Sequence, residues 1–147
     1  MGVRWSNGTI TAVINDASRG TIYRSLQIIR SVCNDVLEDG AETGRDIIGN
    51  TPSALVPGKT DRIDTGHMQA SVRHDRMKQE NPSKMVGAAG WTGTVEDYFK
   101  TQEEGGMSSG LRMGDRYITP MHMLVQMRLI MESDLHHRLR DEFGNES

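Results

Sequence analysis

Between Thr9 and Ile14 the apolar residues Ile10, Ala12 and Ile14 alternate with Thr9 and Thr11, which predicts a short strand or ordered arm. After the capping residues Asn15, Asp16 and Ser18, the positions Ile22, Leu26, Ile29, Cys33, Val36 and Leu37 recur at helical steps. They predict an amphipathic helix from about Ser18 to Glu38, continuing toward Ile47 and Ile48. Gly40 and Gly44 each disfavour a helix interior by about 1 kcal/mol relative to Ala, so a break or kink is expected near Gly40.

The stretch from Gly49 to Ile63 carries Pro52, Pro57 and Gly58 and few apolar positions, and reads as a surface loop. Beyond it Met68, Ala70 and Val72 alternate with Gln69, Ser71 and Arg73, the pattern of a strand with one apolar face. A second strand is expected over Lys84 to Ala89, joined antiparallel through a polar turn from Lys78 to Ser83. Thr94 and Asp97 resemble a capping box, with Val95, Tyr98, Phe99 and Gln102 on one side of a short helix that ends at Gly105. Gly105 to Gly110, extended by Gly114, has the composition of a mobile loop. Thr119 and Pro120 then open a long helix reaching Glu142, with an apolar stripe of Met121, Leu124, Met127, Ile130, Met131, Leu135 and Leu139. The expected architecture is α+β: a small antiparallel sheet packed by a long N-terminal and a long C-terminal helix, plus one short helix. Residues 1–17 form an arm, and 18–147 a single domain of ordinary size.

Composition changes the picture in one respect. Apolar residues make up 35% of the 147, only seven are aromatic, ten are Met and sixteen are Gly, so the core is thin and partner subunits are expected to complete it. A net charge of -3 without a basic stripe argues against nucleic acid as a main ligand. The single cysteine, Cys33, excludes an internal disulfide and fits a reducing compartment; it lies on the first helix's apolar stripe and reads as core. No apolar run suits a signal peptide or a membrane span, so no membrane partner is expected.

Three chemical motifs are weighed and set aside. Asp64-Thr65-Gly66 is the triplet of aspartic proteases, and Ile47-Ile48-Gly49 echoes their apolar-apolar-Gly motif. The order is reversed, and Arg62 and His67 flank the triplet where small or apolar residues are needed, so a turn is the favoured reading. Gly105 and Gly110 have phosphate-loop spacing, but Leu111 takes the lysine position. The five histidines share no ligand spacing, so neither metal nor cofactor is expected.

The order of elements carries more information than any triplet. Thr65, Gly66, Met68 and Ser71 match a Thr-Gly-x-(Leu/Met)-x-x-Ser motif. Tyr98, Glu103 or Glu104, and Gly105 match a Tyr-x-x-x-x-Glu-x-Gly motif, and Pro120 matches a Pro that starts the last helix. Over roughly Ser18 to Glu142 the chain resembles the head-to-tail joining, or tail-completion, family of tailed bacteriophages. It departs from the family in having Thr119-Pro120-Met121 where Arg-Pro-Phe is common.

The resemblance implies no catalysis. It implies a homo-oligomeric, sixfold ring in the virion neck between capsid and tail, made in the host cytoplasm. Its partners there are other neck proteins, and DNA passes through the lumen without specific binding. It also implies structural or interface roles: Gly66 leads into the strand, Tyr98 and Phe99 anchor the short helix, and Gly105 ends it. The segment Met107 to Arg112, followed by Pro120 and Met121, is either the loop that touches a neighbouring ring or plain surface. Competing readings are a tail terminator that caps the tube, a dimeric aspartic protease based on Asp64, and an adaptor that binds through the Met-bearing last helix.

Overall fold

A computed structural model describes residues 2–6, 9–13, 19–53, 56–63, 66–81, 84–91, 97–110 and 114–144. The chain runs β1 (Gly2–Ser6), β2 (Thr9–Val13), α1 (Arg19–Asn50), α2 (His67–Ala70), β3 (Arg73–Asn81), β4 (Lys84–Gly90), α3 (Asp97–Glu104), β5 (Gly106–Gly110), β6 (Gly114–Ile118) and α4 (Met123–Phe143). The α+β expectation holds. An antiparallel sheet in the order β1-β2-β4-β3 lies under α1, α4 packs on α1, and β5 with β6 forms a separate two-stranded sheet. The expected N-terminal arm is thus a hairpin whose second strand pairs Thr9 with Ala88 through Val13 with Lys84.

Of the break or kink expected near Gly40, no break occurs: α1 is one helix of 32 residues, about 48 Å long. Packing overrides propensity here. A Cβ at Gly40 would lie 2.7 Å from Met131 Cγ, and one at Gly44 would lie 2.5 Å from Met127 Sδ and 3.1 Å from Val72 Cγ1. These two positions let α4 approach until its fully buried methionines rest on the α1 backbone. The sheet side of α1 uses the same device, because a Cβ at Gly87 of β4 would lie 2.6 Å from Leu37 Cδ1 and from Met77 Sδ.

Four further expectations are corrected. Met68, Ala70 and Val72 do not share a strand; His67–Ala70 is a helical turn behind Gly66, whose φ is 82°. Its place is fixed from α1, since Gln69 Nε2 donates to Arg45 O (3.0 Å) and Arg45 Nη1 donates to Val72 O (2.8 Å). The polar run from Lys78 to Asn81 belongs to β3, an edge strand whose charged residues tolerate solvent. The Gly-Ser segment is the β5–β6 hairpin, with Met107 paired to Tyr117. Finally, α4 begins at Met123, three residues beyond Pro120, and buries Met123, Met127, Met131 and Leu135, while Ile130 of the expected stripe is half exposed.

One bulge is supported from outside the sheet. The register of β3 on β4 shifts between Asp75 and Lys78, which frees the Met77 amide, and the buried Asn34 of α1 accepts it at 2.7 Å. At least seven of the ten methionines lie in the core, and among the described residues Phe99 is its one fully buried aromatic ring. The thin composition is therefore made up by long, adaptable thioethers rather than by aromatic rings.

The α1–α4 contact yields a testable coupling. Gly40→Ala gains helix propensity but is expected to lower stability by about 1–3 kcal/mol through overpacking. In a Met131→Ala background that loss should largely vanish. Denaturant titration of the four variants measures the coupling, and additive effects would contradict the packing account.

Candidate functional site

Of the residues singled out by the sequence, Glu103, Gly105, Pro120 and Met121 meet at the ends of α3 and α4, where the chain leaves for the β5–β6 hairpin and returns. Gly105 ends α3 with φ 76°, a value that favours glycine, and its amide donates to Thr101 O at 2.8 Å. A Cβ there would meet Pro120 Cδ at 2.8 Å and Ile118 O at 2.9 Å, so the outgoing and returning chains touch. Two backbone bonds close the base: Met121 N to Gln102 O at 2.8 Å and His122 N to Glu103 O at 3.2 Å.

Glu103 is the keystone of this junction. It is buried, and its carboxylate accepts from the Met123 amide (Oε2, 2.7 Å) and the Leu124 amide (Oε1, 2.8 Å), the first free donors of α4. His122 sits at the N-cap in the left-handed region (φ 54°, ψ 37°), an arrangement with a cost of about 1–3 kcal/mol, and makes no side-chain cap bond. A carboxylate from α3 therefore does what Thr119 was expected to do locally. Burial pushes the Glu103 carboxyl up from its ordinary value, outweighing the downward pull of the Leu124 and Met123 amides and of nearby His122.

Arg62 braces the same junction from the α1–α2 loop. Its guanidinium donates to Pro52 O (3.0 Å), to Gln102 Oε1 (2.9 Å) and to Thr119 O (2.8 Å) and Oγ1 (3.0 Å). Burial lowers its pKa, and five donors in a rigid fork suit this many acceptors. In the sequence Arg62 appears only as a residue that spoils a protease triplet; nothing local signals its long-range role. Its neighbour Lys59 donates to Ile63 O and lies 3.8 Å from Asp61.

The remaining candidates divide by burial. Met68, Phe99 and Met121 are core. Phe99 stacks on Trp91 (5.2 Å between centroids) and meets Tyr98 edge-on (4.6 Å), while Trp91 Nε1 donates to Met68 O at 3.1 Å. Ser71 Oγ returns to His67 O at 2.6 Å and closes the α2 turn. Pro120 is half-buried at the hairpin base. Tyr98 and Met107 are exposed, Met107 by 64%, and the residue paired with it, Tyr117, by 61%. The Gly106–Ile118 hairpin thus holds two large apolar side chains in solvent while Ile118 alone among its described side chains is buried. Val125, Leu129 and Ile130 form a second exposed apolar group, on the outside of α4. Tyr117, Val125 and Leu129 do not stand out in the sequence, because each falls outside the stripes that periodicity selects, whereas Ile130 belongs to the expected stripe and yet is half exposed.

Asp64, Thr65, Thr94, Leu111 and Arg112 lie outside the described residues. Cys33 is buried in the core and its thiol is pushed up to about 12 by desolvation, so it is held protonated and unreactive. Among the described residues there is no cluster of three or more metal-ligating side chains, and no helix is long and apolar enough to cross a membrane. Comparison with models of protein families, with curated proteins and with solved structures finds no match for this chain.

Glu103→Ala leaves two buried amides without an acceptor and is expected to lower stability by about 1–3 kcal/mol. The raised pKa means that the native state holds this proton more tightly than the unfolded chain. The group's contribution is therefore largest below the unfolded glutamate value and is lost as pH rises through the native one. Glu103→Gln, which cannot ionise, should flatten that part of the stability profile; an unchanged slope in urea titrations across mildly acid pH would refute the assignment.

Proposed function

We propose that the protein is a structural subunit of a tailed-phage neck, joining the DNA-filled head to the tail as part of a homo-oligomeric, sixfold ring. The observation that carries this reading is the Gly106–Ile118 hairpin: its base is locked by Gln102, Glu103 and Arg62, while Met107 and Tyr117 stand in solvent. A lone two-stranded sheet is marginal in water, and paired exposed apolar side chains on a rigid mount suit burial against a neighbour. The element order supports the same reading. A long helix, the Gly66-Met68-Ser71 turn, the β3–β4 hairpin, Tyr98 to Gly105 and a final helix after Pro120 follow the sequence of the resembled family. Buried Met68, Phe99, Glu103 and Met121 hold that mount in place, leaving the hairpin to make contacts. The outward α4 residues Val125 and Leu129 supply apolar area for a further neighbour.

A phage lysate in which this gene carries a stop codon after Gly8 tests the role. DNA-filled heads lying apart from tails of normal length are expected by negative-stain microscopy; overlong tubes would indicate a tail terminator instead, and intact infectious virions would overturn the proposal. Replacing Met107–Tyr117 by a short Gly-Ser link is expected to leave the thermal midpoint within a few degrees of wild type, since the base contacts remain, yet to give the same unjoined particles. Normal joining by that variant would remove the hairpin from the contact.

A further inference from the structure

Among the described residues the two sheets present four free edges, β1 and β3 on the larger and β5 and β6 on the smaller. A free edge exposes unpaired amides and carbonyls and recruits another strand unless something blocks it. β3 is blocked, because Arg73, Asp75, Arg76, Lys78 and Glu80 are all exposed and two register shifts distort the strand. β6 carries Asp115 and Arg116 in its sequence. By contrast, β1 (Gly-Val-Arg-Trp-Ser) and β5 (Gly-Met-Ser-Ser-Gly) contain Arg4 as their one charged residue and no proline, and both are five residues long.

We infer that β5 of one copy pairs with β1 of a second copy, so that the β5–β6 hairpin continues its neighbour's four-stranded sheet. The inference deepens the ring reading and rests on it for the site where the contact operates. It commits to a second copy because the chain offers two unguarded edges of equal length on different sheets, each able to satisfy the other's backbone groups. Such a contact uses a different surface on each subunit, the head-to-tail type that builds rings. It also gives the marginal two-stranded sheet further strands, and buries beside them a hairpin whose Met107 and Tyr117 stand in solvent.

The test uses the purified full chain. Sedimentation velocity should show concentration-dependent self-association, and hydrogen exchange read by mass spectrometry should show residues 2–6 and 106–110 slowing together as the oligomer forms, while 73–81 does not change. Proline at Ser108 or Ser109 removes an amide from β5, and the variant that strikes an outward-facing amide should weaken association by about a hundredfold. Val3→Pro repeats the test from the other edge, in case a β5 proline disrupts the hairpin itself. A chain that stays monomeric at every concentration, or an oligomer protected at β3 or along α4 instead, would overturn the inference. The neck role is judged separately by the stop-codon particles: unjoined heads and tails with a monomeric chain would retain that role and discard this contact.

Discussion

The close approach of α1 to both of its neighbours is the constraint on which the rest of the structure depends. At Gly40 and Gly44 the α1 backbone itself is the surface that receives Met131 and Met127, and on the other side Leu37 rests on the backbone of Gly87. At each of these points only one partner contributes a side chain, so the layers come closer than two opposed side chains would allow. Arg138 of α4 reinforces the contact from the rim, bonding Asp134 at 2.9 Å and reaching Asp35 and Asp39 of α1. Its exposure makes that contribution small beside the packing.

With that layer spacing fixed, the position of α4 decides where the chain can leave and re-enter the body of the protein. Glu103 and Arg62 act on this second level. One supplies acceptors to a helix start that has no cap of its own, and the other ties three separate carbonyl-bearing segments to one guanidinium. Glu103 is buried, where its hydrogen bonds gain because little water competes, whereas Arg62 is half-buried and acts through the number of its bonds. The result is a braced platform under a hairpin whose Met107 and Tyr117 face solvent.

Much of this was legible in the sequence, and the failures have physical causes. Helical periodicity locates α1, α3 and α4, and the apolar run from Lys84 marks β4, but the strand paired with it is expected at Met68–Arg73 and lies instead at Arg73–Asn81. Gly40 misled because propensity treats a helical glycine as a defect, whereas here its missing side chain is what α4 requires. The Gly-Ser segment misled for the opposite reason: its composition suits a loop, and strand pairing through backbone atoms leaves no periodic mark when the side chains are small. Alternation of Met68, Ala70 and Val72 looked like a strand because a single helical turn is too short to show its own period. Glu103 was picked out as part of a motif, while its acceptor role depends on a helix twenty residues away that no local pattern announces.

The methionine core has a consequence of another kind. Thioethers take up oxygen atoms far more readily than hydrocarbon side chains do, and a sulfoxide is polar, bulky and chiral. Met127 and Met131 are buried and sit close against the α1 backbone at Gly44 and Gly40, where an added polar oxygen would crowd the helix. The fold is therefore protected from oxidants only while α1 and α4 stay closed. A protein built this way ages by chemistry at its helix seam, at a pace set by how often that seam breathes.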